Sequence, residues 1–199
     1  MSVWGLVLAA GAGSRFAAAS RGRVPKPLAS FRGRPLIERP LAAVTGGGTD
    51  RTLVVLGAHA AAVRAGSDLG DAGVVVCEDW AEGLSASLRA GVGAAAAGGA
   101  TAVVVVLGDQ PLLEPAAVAR LIEAREPAAA DALRATYDGV PGHPTLLEAS
   151  TFGAVAALRG DAGARDLFAG GALRVRRVAC DGLGRPDDAD TPAALDRLA

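Results

Sequence analysis

Hydrophobic residues in this chain gather in short blocks separated by alanine-rich stretches. Three blocks, Leu6-Val7-Leu8, Leu53-Val54-Val55-Leu56 and Val103-Val104-Val105-Val106-Leu107, are uninterrupted. A run of this length without polar alternation is the pattern of a parallel strand covered on both faces. The blocks predict strands over Val3–Ala9, Thr52–Leu56, Val74–Cys77, Ala102–Leu107, Leu133–Tyr137 and Leu173–Val178. The stretches between them predict helices over Pro35–Val44, Ala58–Arg64, Leu84–Ala97, Pro115–Glu126, Phe152–Leu158, Arg165–Ala169 and Thr191–Leu198. Pro35 and Pro115 suit a helix's first turn, and Thr191-Pro192 reads as a cap followed by a first-turn proline. Pro40 falls inside the first of these helices and predicts a kink there. Strand alternates with helix, with no internal repeat and no linker. The expectation is one α/β domain over residues 1–199, a Rossmann-like, doubly wound, mostly parallel sheet.

Ligands of such sheets bind beyond the carboxyl ends of the strands. The residues to read are therefore Gly11-Ala12-Gly13-Ser14-Arg15, Gly57-Ala58-His59, Glu78-Asp79-Trp80 and Gly108-Asp109-Gln110-Pro111. In the first loop, small residues let backbone N–H groups approach a phosphate closely. It has no Gly-Lys-Ser/Thr, so it is not a Walker A loop. It also lacks the third glycine of a dinucleotide fingerprint, and Gly57-Ala58-His59 replaces the ribose-binding acid expected after the second strand. What remains is a phosphate loop followed by two cations, Arg15 and Lys26.

Composition sharpens the interest in Lys26. The chain has 20 Lys+Arg residues and only Lys26 is a lysine. A lysine kept among arginines marks a position suited to a compact, mobile ammonium rather than a planar fork. The net charge of −1 and the absence of a basic block argue against a nucleic-acid footprint. At 51% hydrophobic and 21% charged, the chain can bury a substantial core. Cys77 and Cys180 read as small buried hydrophobes rather than a disulfide framework. The N-terminal apolar run lacks a basic flank and enters a glycine loop, so it reads as a buried strand and not a signal sequence. No segment reads as membrane-spanning, and a cytoplasmic location is expected.

Two acidic positions stand out. Asp109 directly follows the most apolar strand, where a carboxylate needs a partner; a bound cation would serve, and so would a turn to cap. In Asp187-Asp188-Ala189-Asp190-Thr191-Pro192, Asp188 and Asp190 share a face if the segment is extended. They fit either a Mg²⁺ site, which takes one or two carboxylates plus phosphate oxygens, or the N-terminus of the following helix. His59 reads as structural, and Trp80 as a packing residue with its indole N–H on a backbone carbonyl.

These pieces occur in an order that resembles the molybdenum cofactor nucleotidyltransferases, and most closely the cytidylyltransferases among them. The matching segments are Leu8-Ala9-Ala10-Gly11 with Arg15 and Lys26, Gly33-Arg34-Pro35-Leu36-Ile37, Trp80 to Leu88, Gly108 to Leu112, Gly142-His143-Pro144, Gly160 to Arg165, and Asp188-Ala189-Asp190-Thr191-Pro192. They span nearly the whole chain. The resemblance implies a nucleotidyltransferase fold and Mg²⁺-dependent transfer of CMP from CTP to the terminal phosphate of molybdopterin. It implies that Leu8, Ala9, Ala10, Gly11, Gly13 and Ser14 cradle the triphosphate with Lys26 and Arg15. Asp109 and Asp190, with Asp188, would hold the metal. Gly83, Ser85 and Ser87 would lie near the base, and His143, Pro144, Asp161 and Arg165 would face the pterin. Ala10 and Gln110-Pro111-Leu112 lean toward cytidine, and a molybdoenzyme or its maturation factor becomes a candidate partner. The segment between Arg15 and Lys26 departs from the family pattern, being longer and lacking a glycine after Phe16. Two alternatives stay open: a transferase using GTP or acting on a sugar or polyol phosphate, and a non-catalytic cofactor carrier. Arg165 could also be an ordinary helix-surface charge.

Overall fold

A computed structural model describes residues 2–21 and 24–199. The central sheet contains β1 (Val3–Ala9), β4 (Arg51–Leu56), β5 (Gly73–Val76), β6 (Ala102–Leu107), β7 (Ala132–Tyr137), β8 (Val140–Glu148) and β9 (Val175–Ala179), in spatial order β5-β4-β1-β6-β8-β7-β9. All neighbours pair in parallel except β8, which runs antiparallel to both β6 and β7. A small antiparallel hairpin, β2 (Ser30–Phe31) with β3 (Arg34–Pro35), stands apart from the sheet. The helices are α1 (Ser14–Ser20), α2 (Glu38–Gly46), α3 (Ala60–Gly66), α4 (Leu84–Ala97), α5 (Pro115–Glu123), α6 (Phe152–Ala156), α7 (Ala164–Ala169) and α8 (Pro192–Leu198). The expected doubly wound, mostly parallel sheet is present.

Successive strand side chains point to opposite faces, so a continuous apolar run feeds two cores. Along β1, Val3 and Val7 pack with Val54, Val104, Leu133 and Leu146 on the face covered by α2 and α5. Trp4, Leu6 and Leu8 join Val55, Val103, Val105 and Leu147 on the face covered by α4 and α6. A third cluster of Phe16, Phe31, Leu36, Ala189 and Leu195 joins α1, the hairpin and α8. It brings the beginning and end of the chain together at the rim of the sheet.

Several expectations are corrected. Pro35 opens no helix; it lies in β3, beyond the hairpin turn Arg32-Gly33. The helix begins at Glu38, which puts Pro40 in its first turn, where no intrahelical N–H bond is lost. No kink is needed. β8 is absent from the sequence reading because Pro141 and Pro144 break its pattern, and proline normally argues against an interior strand. The register shift opposite it, between Arg134 and Thr136, accommodates them. The segment after the glycine loop is largely helical: α1 covers Ser14–Ser20 and ends on Arg21 in a left-handed conformation. β1, β6 and α4 match expectation at both ends, and the remaining ends coincide with it or differ by one to three residues.

One buried ion pair ties the end of α5 to the end of β8. Arg125, just after α5, donates from Nε and Nη2 to the two oxygens of Glu148 at the end of β8, both at 2.7 Å. Their side chains are 9% and 5% exposed. Removing one partner strands a buried charge, which typically costs about 3–5 kcal/mol. Glu148→Ala should therefore lower unfolding free energy by about that amount in urea titration. The Arg125→Met/Glu148→Leu pair should recover most of the loss.

Candidate active site

The strand order defines the site. From β1 the chain winds outward through β4 to β5, then returns to β6 on the other side of β1. The loops after β1 and β6 therefore diverge and leave a crevice, the usual ligand position in an open α/β sheet. A cleft of about 500 Å³ lies there, lined by Leu8 to Phe16, Lys26, Gly108, Asp109 and Asp190, with Trp80, Gly83, Leu84, Ser87 and Asp161 on its other wall. Backbone bonds lock the strand ends: Ala58 N–H donates to the Ala10 carbonyl (3.0 Å) and Gly108 N–H to that of Leu8 (2.9 Å). His59 Nε2 lies 3.2 Å from the Ala12 carbonyl, so His59 braces the phosphate loop.

Lys26 crosses this crevice. Its Nζ donates to Asp109 Oδ2 at 2.5 Å and to Asp190 Oδ1 at 3.0 Å, and its side chain is only 11% exposed. Arg15 Nη1 meets the other oxygen of Asp190 at 2.5 Å. The lysine stem packs over the glycine loop; a Cβ on Gly13 would stand 3.1 Å from Lys26 Cβ, at a φ of +61°. The longer segment between Arg15 and Lys26 does not keep the ammonium away: α1 takes up its first half, and Phe16 anchors it to the third cluster. Lys26 itself begins a single 3-10 turn over Lys26–Leu28.

Asp109 caps no helix. Its Oδ1 is buried and has no hydrogen-bond partner among the described residues. A buried carboxylate oxygen without a donor is costly unless a cation sits beside it, so Asp109 fits a metal ligand. The cap before α8 is Thr191, whose Oγ1 accepts from Ala194 N–H at 3.1 Å, which leaves Asp188 and Asp190 free of that duty. Asp188 accepts from Gln110 Nε2 at 2.9 Å. Desolvation and the nearby Asp109 charge push its carboxyl pKa up. Among the described residues no three His, Cys, Asp or Glu side chains gather closely enough to hold a metal by themselves. Asp109 and Asp190 thus offer a partial site, of the kind that Mg²⁺ completes with phosphate oxygens.

The opposite wall joins two of the recognised motifs. Gly83 precedes α4 with φ +113°, and a Cβ there would meet Asp161 Oδ1 at 2.4 Å and the Gly160 backbone at 2.7 Å. Only glycine allows the turn at Gly83 and the 160–165 loop to touch. Ser85 N–H donates to the Gly160 carbonyl at 3.1 Å, and Arg89 bridges Ser85 Oγ, the Leu158 carbonyl and Glu82. Ser85 is fully buried and does not line the cleft, whereas Gly83, Ser87 and Asp161 do.

Residues 5–178 match the MobA-like NTP transferase domain. The chain belongs to this family. It is 36% identical to the nicotine blue oxidoreductase of Paenarthrobacter nicotinovorans over 98% of this chain and 96% of that protein. Rv0371c of Mycobacterium tuberculosis H37Rv superposes with a TM-score of 0.84 at 34% identity, covering 100% of this chain and 97% of that one. Its manganese complex gives 0.81 at 34% identity, covering 100% and 98%. A nucleotidyl transferase of Methanothermobacter thermautotroptrophicus gives 0.82 at 25% identity, covering 99% and 95%.

The structure gathers Leu8, Ala9, Ala10, Gly11, Gly13, Ser14, Arg15, Lys26, Gly83, Ser87, Asp109, Asp161 and Asp190 around one cleft. It leaves Ser85, His143, Pro144, Arg165 and Asp188 outside that lining. Trp80 packs against the second core cluster, as expected of it, and also stands in the cleft wall; its indole N–H has no carbonyl partner among the described residues. Its position at the end of a strand was the available signal. Gln110, 3% exposed, bonds to Asp188 and to the Pro186 carbonyl, so it orders the acidic segment rather than facing a base. Among the described residues no helix is long and apolar enough to cross a membrane.

His143 sits in β8 behind the cleft, with Nδ1 3.4 Å from Gln110 Nε2 and its carbonyl accepting from Tyr137 Oη at 2.9 Å. Burial, aided by the Arg134 charge and opposed by Asp109, pushes its pKa down to about 4. The ring is neutral at pH 7. The unfolded chain takes up this proton near pH 6.5 and the folded chain only near 4, so His143 weakens the fold as pH falls through that window. Its share is a slope of about 1.4 kcal/mol per pH unit. His143→Gln should flatten the dependence of urea-unfolding free energy on pH between these limits by about that slope.

Proposed function

We propose that this protein transfers a nucleotidyl group, moving CMP from CTP onto the terminal phosphate of a molybdopterin-type acceptor with release of pyrophosphate. The observation that carries this reading is Lys26 held between Asp109 and Asp190 at the mouth of a glycine loop. In this reading an oxygen of the acceptor phosphate attacks the α-phosphorus of the nucleotide. One P–O bond forms, the bond to the β-phosphate oxygen breaks, and pyrophosphate leaves with the electron pair. A phosphate monoester with a second pKa of about 6 is already largely dianionic near pH 7, so no general base is required. Positioning and charge neutralisation are what such a transfer asks of a protein.

Backbone N–H groups of the Ala10–Ser14 loop would receive the triphosphate, with Lys26 and Arg15 neutralising it. Asp109 and Asp190 would hold Mg²⁺, Asp188 helping through Gln110. The orphaned Asp109 oxygen and the manganese complex of Rv0371c support a divalent ion here. When bound, Mg²⁺ would offset phosphate charge and orient its oxygens. A charge pair about 4 Å apart is worth roughly 4 kcal/mol at an effective dielectric of 20, against about 0–1 for an exposed pair. The low exposure of Lys26 supports a role on the favourable side of that range. Ala10 supports the lean to cytidine by resemblance. Gly83 and Ser87 would border the base, and Asp161, with His143, Pro144 and Arg165 behind it, the acceptor. A cytoplasmic setting and delivery to a molybdoenzyme or its maturation factor follow from the same reading.

A panel of CTP, GTP, ATP and UTP with Mg²⁺ and either molybdopterin or sugar phosphates, read by product mass and pyrophosphate release, tests the proposal. The expected product is a cytosine dinucleotide of the pterin. Turnover with a sugar phosphate alone would replace the acceptor. Asp109→Ala should abolish Mg²⁺-dependent turnover, whereas a carrier would show none to lose. Lys26→Ala should reduce kcat by about 10²–10³, the scale of losing one preorganised donor. Lys26→Arg should recover only part, because a bulkier planar guanidinium would have to replace a compact ammonium that is only 11% exposed.

A second reading is favoured by one observation, the 36% identity over nearly full length to nicotine blue oxidoreductase. It predicts an oxidation–reduction without pyrophosphate release, for which NADH and NADPH serve as trial reductants. The missing third glycine and ribose-binding acid weigh against it. Loss of absorbance at 340 nm in place of nucleotidyl product would decide for it.

A further inference from the structure

We infer that Arg134, Arg165 and Arg177 form an oxyanion-binding patch that receives a phosphate-class group of the acceptor substrate. Arg134 of β7 and Arg177 of β9 are register partners in parallel strands. Their side chains therefore leave the same face of the sheet side by side. α7 lies over that face: Phe168 and Leu167 pack on Ala132, Leu147 and Val175. The Arg134 guanidinium stands 5.8 Å from the centroid of the Phe168 ring. Arg165 is one turn before Phe168 on α7, so it rises on the same side. Burial first, then the charges of Arg165 and Arg177, depress the Arg134 pKa, as expected of three neighbouring cations.

None of the three has an ion-pair partner among the described residues, and the described arginines elsewhere divide between paired and unpaired. Arg15, Arg34, Arg89, Arg125, Arg174, Arg176 and Arg185 each meet a carboxylate. Three guanidiniums converging from two strands and a helix, without a counter-charge, present the donor set that binds a tetrahedral oxyanion. The patch borders the cleft. Arg134 acts on His143, and the other charged neighbour acting on His143 is Asp109. The 160–165 loop runs from Asp161 in the cleft wall to Arg165. Assignment to the acceptor, rather than to the nucleotide, rests on the proposed nucleotidyl transfer; the oxyanion site itself does not.

Calorimetric titration of the full chain with inorganic phosphate tests it, comparing wild type, Lys26→Ala and the exposed pair Arg165→Gln/Arg177→Gln. Wild type should show phosphate binding that survives Lys26→Ala and weakens at least tenfold in the double variant. CTP binding should be unchanged in the double variant. Its thermal midpoint should equal or exceed that of wild type, since two like charges are removed. A phosphate isotherm unaffected by the double substitution would overturn the patch, and so would complete loss of phosphate binding in Lys26→Ala alone. A lowered midpoint would show the arginines to be held by structural partners and would also overturn it. Weakened CTP binding would overturn the assignment to the acceptor. Failure of every nucleotide in the turnover panel would sink nucleotidyl transfer and leave these isotherms readable.

Discussion

The contact of Lys26 with Asp109 and Asp190 joins three distant parts of the chain. Asp109 follows β6 in the middle of the sheet, Asp190 precedes the last helix, and Lys26 follows the first. Asp109, the less exposed of the two carboxylates, would be costly in its place without a cation beside it. The ammonium in turn reaches them only because the third hydrophobic cluster pins α1, the hairpin and α8 against one another. A small apolar cluster at the rim thus determines the electrostatics of the crevice. Under the proposed function the same carboxylates would also hold a divalent ion, and lysine and metal would then share a site whose net charge depends on phosphate being present.

Around this cluster the walls divide by chemistry. On one side the loop after β1 is almost all glycine and alanine and offers backbone donors. On the other, Gly83 and the Gly160–Asp161 segment touch through space that a side chain would fill. Arg89 braces the second wall from behind with bonds to Ser85, Leu158 and Glu82. The arrangement resembles preorganised catalysis, in which donors are fixed before charge develops. Beyond His143, which burial keeps neutral, the charges of Arg165 and Arg177 act on Arg134. Polarity therefore changes across the sheet, from an acid–lysine cluster at its centre to uncompensated cations near its β9 edge.

Family membership and activity are separate matters here. The MobA-like NTP transferase domain spans most of the chain, while the relative that is 36% identical over nearly its full length bears an oxidoreductase name. One scaffold carries different chemistries because function lives in the side chains at the strand ends. The proposed nucleotidyl transfer is argued from Lys26, Asp109 and Asp190, which meet in the crevice.

Much of this was legible in the sequence, for stated reasons. Continuous apolar runs announced β1, β4 and β6, and Thr191-Pro192 marked the start of α8, because burial on two faces and first-turn geometry are local requirements. Lys26 and Asp109 stood out through composition and position. The hairpin at Arg32-Gly33, β8 and the helical Ser14–Ser20 were not legible, since prolines and small residues carry no periodicity that a local pattern can expose. The pairing of Arg134 with Arg177 was equally hidden. Register between strands 43 residues apart is decided by the whole sheet. Sequence alone determined which residues could do chemistry; the tertiary structure decided which of them meet, because charge interactions act through distance in space and not along the chain.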